Sequence, residues 1–234
     1  MVVNGLNPES NRQVLELSRQ YSSVWPALGI YPIDAINHLA QNLPFPVQTF
    51  DVREEISWIE SLAKSGQIKA IGECGLDGYW VQENTFAEQE KVFIDLMEIA
   101  QKYDLPIIIH TRKREKRAME ILAHHKMERV NFHCYGGKTK LAIKASHDFG
   151  WWFSIPCTAP SNQAFTKLLG ELPEDKILTE TDAPYLSPVK GDRNEPANIV
   201  QTVKYLATIK GWTIDQARDQ IWNNFNRLMR PHPQ

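Results

Sequence analysis

Two imidazoles and two carboxylates close apolar runs along this 234-residue chain. Glu73 follows Ala70-Ile71-Gly72, His110 follows Ile107-Ile108-Ile109, and His133 follows Val130-Asn131-Phe132. Asp182 comes just after the run that starts at Ile177 and Leu178. Alone, a histidine at a strand end is usually structural, and an Asp or Glu there is usually a cap or a turn former. Four such residues at equivalent places of one recurring unit point to shared chemistry. Nitrogen and oxygen donors together suit zinc, manganese or, less well with histidine present, magnesium. A cation run, residues 112–117, follows His110 and holds five Lys or Arg. Arg112 beside such a site would grip phosphate; the rest of the run reads equally as a solvated helix face balanced by Glu115 and Glu120. The other histidines carry no such signal. His124 and His125 close a helix, where a cation meets the negative end of its dipole. His38, His147 and His232 fall on a loop, a helix end and the tail.

Placing these groups requires strands whose ends converge. Short β-rich runs at 2–3, 24–28, 69–73, 106–110, 130–133, 151–155 and 177–181 alternate with amphipathic stretches. Helices are expected near 8–20, 51–65, 85–103, 113–125, 138–148, 161–170, 195–210 and 213–229. Asn7 before Pro8, Asp51, and Thr213 before Asp215 and Gln216 are helix-start signals. Strict alternation implies a parallel sheet with right-handed crossovers. No GxGxxG loop follows the first strand, which counts against a dinucleotide-binding sheet. In a TIM-type α/β barrel the strand C-termini meet at one mouth, where the polar residues here would gather. The expectation is one domain over residues 1–234, with seven strand units where a barrel has eight, so that the first β/α unit is missing from the N-terminus.

Composition agrees with a single globular domain: 42% hydrophobic, 23% charged, formal net charge -2. That charge offers no global basic field for nucleic acid. Three cysteines, Cys74, Cys134 and Cys157, form no CxxC pair and read as reduced thiols of a cytoplasmic protein. No apolar run approaches a membrane span.

The motifs IGECGLD (71–77), PIIIHTR (106–112), NFHCYGG (131–137), TETDAPYL (179–186) and RNEPANI (193–199) resemble the TatD family of metal-dependent deoxyribonucleases. That resemblance implies a TIM barrel, one or two divalent metals (Mg, Mn or Zn) and hydrolysis of phosphodiester bonds, often exonucleolytic on single-stranded DNA. It implies that Glu73 bridges two metals, His110 and His133 hold one of them, and Asp182 ligates the other and helps position the attacking water. Glu180 would support the site from behind. The family pattern also has an HxH on a first strand, absent from this sequence, and a histidine where this chain has Tyr31. Glu73, His110 and His133 would then hold one metal with an open position, and a second would bind weakly. A catalytically impaired or silent relative, and an amidohydrolase-type enzyme for a small amide, ester or lactone, are the alternatives. An open barrel edge would also permit oligomerisation.

Overall fold

The computed structural model describes residues 1–40 and 43–230; His232 lies outside them. Two compact units divide the chain, Met1–Val130 and Asn131–Arg230.

The first unit alternates β1 (Val2–Asn4), α1 (Pro8–Gln20), β2 (Trp25–Leu28), α2 (Val52–Lys64), β3 (Ala70–Asp77), α3 (Phe86–Lys102), β4 (Ile107–Arg112) and α4 (Glu115–His124). Its strands pair in parallel and in chain order, β1 on β2, β2 on β3 and β3 on β4. The local signals explain the helix starts. The Asn7 side chain accepts from the Ser10 N–H, Ser10 answers the Asn7 N–H, and Pro8 occupies the first turn. Asp51 caps α2 through the N–H groups of Arg53 and Glu54. The run Ile107, Ile108, Ile109 is buried, as a strand covered on both faces must be. Polar groups also tie α1 to its neighbours. Buried Asn11 donates to the Gly29 carbonyl at 2.9 Å and to Glu55 at 2.7 Å. Arg12 pairs with the same carboxylate, so the buried charge is compensated.

The second unit contains β5 (Val130–His133), α5 (Thr139–Asp148), β6 (Trp152–Pro156), α6 (Gln163–Glu171), β7 (Ile177–Glu180), α7 (Ile199–Lys210) and α8 (Ile214–Met229). β5 pairs with β6 and β6 with β7, again in parallel. Its interior is aromatic. Phe132 and Phe153 stack at 5.3 Å between ring centroids, and Tyr135 meets Phe153 edge-on. Each such ring contributes about 3 kcal/mol by burial. On the opposite face Trp152 and Leu178 pack with Leu228 of α8. Buried Asn224 of α8 donates to the carbonyls of Glu174 and Ile177 at 2.7 and 2.8 Å, fixing where β7 begins.

All seven expected strands form, with two corrections. β3 does not end at Glu73 but continues to Asp77, and β4 continues past His110 to Arg112. Glu73 and His110 therefore sit inside their strands. The register of β3 against β4 shifts between Ile71 and Cys74, after which the ladder resumes through Asp77 opposite Arg112. The helix expected from 113 starts at Glu115, because Lys113 takes a positive φ of 61°.

Candidate metal centre

The motif IGECGLD explains itself once β3 and β4 are seen side by side. A Cβ on Gly75 would stand 2.1 Å from the His110 carbonyl oxygen, and the Gly75 φ is +141°. Gly72, at φ +152°, likewise leaves no room against Ile108. Only glycine permits this approach, and the approach sets Glu73 and Asp77 on either side of the His110 ring.

The ring is held from both ends. His110 Nε2 lies 3.0 Å from Asp77 Oδ2, and Nδ1 lies 3.2 Å from Glu73 Oε1. Asp77 is fully buried; its other oxygen accepts the backbone N–H groups of Tyr79 and Trp80 at 2.7 and 3.1 Å. Burial pulls its carboxyl up, but the bonds from His110, Tyr79 and Trp80 outweigh that and hold it below the usual carboxylate range. An ionised Asp77 accepts a hydrogen from Nε2, which leaves the Nδ1 lone pair turned toward Glu73. This is the arrangement in which a carboxylate orients a histidine that ligates metal through its other nitrogen. Tyr31 closes the cluster, with its hydroxyl 3.4 Å from Asp77 Oδ2 and 3.4 Å from His110 Nε2. Burial, then the charges of Asp77 and Glu73, push the phenol up, so it stays protonated and donates.

In the second unit His133, the last residue of β5, faces Glu180 and Asp182. Nδ1 lies 3.3 Å from Glu180 Oε1 and 4.0 Å from Asp182 Oδ1. The second oxygen of Glu180 accepts from Ser154, whose hydroxyl accepts in turn from Asn131 at 3.1 Å. Asp182 adopts a positive φ of 58° in the turn beyond β7. That turn is pinned by buried Asn194 of the RNEPANI motif. Its amide donates to the carbonyls of Thr181 and Tyr185, each at 2.7 Å, and of Leu186 at 3.1 Å. Asn194 thus shapes the loop that presents Asp182.

Within the first unit the predicted Glu73 thus meets His110, and within the second His133 meets Glu180 and Asp182. Sequence reading missed Asp77 and Asn194. Asp77 had a signal, an Asp-Gly pair directly after an apolar strand, but that pattern is equally a turn. Whether metal suits these groups is decided by their chemistry. Glu180 Oε1 is buried without a hydrogen-bond partner among the described residues, yet stands beside an imidazole nitrogen. A buried carboxylate oxygen in that position calls for a cation. The imidazole and carboxylate donors fit a divalent ion such as zinc or manganese.

The cation run after His110 divides. Arg114 and Arg117 both pair with Glu90 of α3, and Lys116 and Arg117 reach Glu120. Among the described residues Arg112 and Lys113 form no ion pair with a carboxylate. The Arg112 guanidinium instead lies 3.5 Å over the Tyr79 ring.

Comparison with known proteins gives a consistent result. The family described as TatD related DNase matches residues 1–230. The chain is similar to an uncharacterized metal-dependent hydrolase of Bacillus subtilis, with 29% identity over 98% of this chain and 87% of that one. It is similar to the 3'-5' ssDNA/RNA exonuclease TatD of Escherichia coli, with 31% identity over 90% of this chain and 80% of that protein. In three dimensions it resembles the crystal structure of a TatD homolog of Escherichia coli. The TM-score is 0.81 at 22% identity, over 97% of this chain and 85% of the other. The fold is thus the α/β, TIM-like fold of those structures.

Proposed function

We propose, from the premise that this chain belongs to the TatD family of metal-dependent hydrolases, that it removes nucleotides from single-stranded DNA by hydrolysing phosphodiester bonds. The proposed metal donors are Glu73, His110 and His133, with Asp182 beside His133 and Glu180 supporting it. The observation that carries this reading is the placement of His110 Nδ1 3.2 Å from Glu73 while Asp77 occupies Nε2. A structural histidine has no need of carboxylates at both nitrogens. One family match over residues 1–230 supports treating the chain as a single hydrolase domain. The exonuclease named above, 31% identical, supports the choice of substrate.

A divalent cation at such a site neutralises phosphoryl charge and acidifies water at neutral pH. The chain's own residues do the rest. Asp77 keeps the His110 hydrogen on Nε2. Asp182, with about a third of its side chain exposed (31%), is reachable from solvent and accepts the proton of the attacking water at a carboxylate oxygen. Arg112 offers its guanidinium to a phosphate. Among the described residues no helix is long and apolar enough to cross a membrane. We place the enzyme in the cytoplasm, consistent with three cysteines that form no disulfide.

The test is digestion of a single-stranded oligodeoxynucleotide with added magnesium or manganese, with a chelator control. Stepwise loss of nucleotides that the chelator stops is expected, with Glu73→Ala inactive and depleted of metal. Full activity in Glu73→Ala would overturn the site assignment.

A further inference from the structure

We propose that Tyr79 and Trp80, with Arg112 and Lys113, form a base-stacking platform for single-stranded nucleic acid beside the His110 cluster; the inference rests on the nuclease reading and specifies how its substrate is held. Tyr79 is 44% exposed although it stands only two residues beyond the buried strand β3. Its ring is not loose. Trp80 meets it edge-on at 4.7 Å, and Phe45 meets Trp80 edge-on at 5.3 Å. The backbone beneath is fixed because Asp77 accepts the N–H groups of both Tyr79 and Trp80, and Gly78 donates to the Arg112 carbonyl at 2.8 Å. The residue that orients His110 therefore also builds the aromatic step.

Cations mark the occupant. Arg112 lies 3.5 Å and Lys113 4.7 Å from the Tyr79 ring centroid, and Arg112 lies 5.4 Å from that of Trp80. Among the described residues neither cation is paired with a carboxylate, whereas Arg114 and Arg117 further along are committed to Glu90. An exposed ring alone is ordinary. A rigid aromatic pair with Arg112 stacked on Tyr79 and Lys113 beside it, neither cation neutralised by a carboxylate among the described residues, matches the two parts of a nucleotide, a flat base and an anionic phosphate. An acidic peptide would use the cations but leave the rings without a partner. The position suits an end of the strand: Arg112 stands two residues beyond His110 and opposite Asp77 in the β3–β4 register. A base on the platform would place its neighbouring phosphate toward the His110 cluster.

The experiment is fluorescence anisotropy of a labelled oligothymidylate with metal chelated, so that binding is read without turnover. The KM and kcat on the same oligonucleotide are measured with manganese. Tyr79→Leu should raise the dissociation constant and KM about tenfold, within the range of one lost stacking contact. Tyr79→Phe, which keeps the ring, should stay within about twofold of the parent. Circular dichroism of the Leu variant checks that this exposed substitution leaves the fold intact. Unchanged binding in Tyr79→Leu, or an equal loss in Tyr79→Phe, overturns the platform; so does a parent that fails to bind. Ring-dependent binding without metal-dependent hydrolysis would instead leave the platform standing and remove the nuclease reading.

Discussion

Replacing Asp77 with Asn changes almost no volume yet should cost the protein much of its affinity for metal. In the native protein one oxygen of Asp77 accepts the N–H groups of Tyr79 and Trp80 at 2.7 and 3.1 Å. Those two donors dictate how an asparagine sits: its carbonyl oxygen must keep their bonds. Its NH2 group then falls where Oδ2 was, 3.0 Å from His110 Nε2 and 3.4 Å from the Tyr31 hydroxyl. A donor now faces the Nε2 hydrogen. To avoid that clash His110 moves its hydrogen to Nδ1, the nitrogen turned toward Glu73, and the ligating lone pair is lost. Partners of this kind typically change metal affinity by about 10–100-fold, or roughly 1.4–2.7 kcal/mol. Calorimetric titration with manganese at neutral pH reads the constant directly, and a thermal melt confirms the fold. A manganese affinity within about threefold of the parent's, in a folded variant, would refute the assignment of Asp77 as the orienting group.

Three other perturbations probe the frame. Burial pushes the Asp34 carboxyl up from 3.8 to about 6, against a hydrogen bond from Asn7 that lowers it. The fold thus binds this proton more tightly than the unfolded chain does. Stability should fall as pH rises through that window, by on the order of 3 kcal/mol. Asp34→Asn should raise neutral-pH stability by about 2 kcal/mol and flatten the slope in urea unfolding; an unchanged slope would assign the pH dependence elsewhere. Asn194→Ala strips the carbonyls of Thr181, Tyr185 and Leu186 of their shared donor. A loss of about 3 kcal/mol in denaturant titration, and a lower kcat, are expected. Gly75→Ala forces a methyl group to 2.1 Å from the His110 carbonyl at a φ of +141°. It should destabilise by about 4 kcal/mol or prevent soluble expression, and a normal melting temperature would mean the strands are not in contact there.

How much of this was legible in the chain depended on range. The seven strands announced themselves through short apolar runs, and caps at Asn7, Asp51 and Thr213 marked helices that begin one residue later. The length of β3 was not legible. Gly72 and Gly75 interrupt the apolar pattern as a strand end would, and only the neighbouring strand shows that they serve close approach. Glu73, His110, His133 and Asp182 were legible as polar groups closing apolar runs and as candidates for shared metal chemistry, but the carboxylate behind His110 was not. Asp77 was not singled out, because its histidine lies 33 positions away. The same limit hid Glu90, which neutralises Arg114 and Arg117 from 24 and 27 residues upstream, beyond any helical spacing rule.

The side-chain-free contact between Gly75 and the His110 carbonyl has an energetic corollary. With main chain resting on main chain, Glu73 and His110 cannot separate unless the β3–β4 ladder itself unzips. Their mutual spacing is settled when the polypeptide folds, before any ion arrives. Ligation then spends little entropy on gathering these two donors, so apo and loaded forms should share one backbone here, and selectivity among ions becomes a question of fixed cavity size rather than of induced closure.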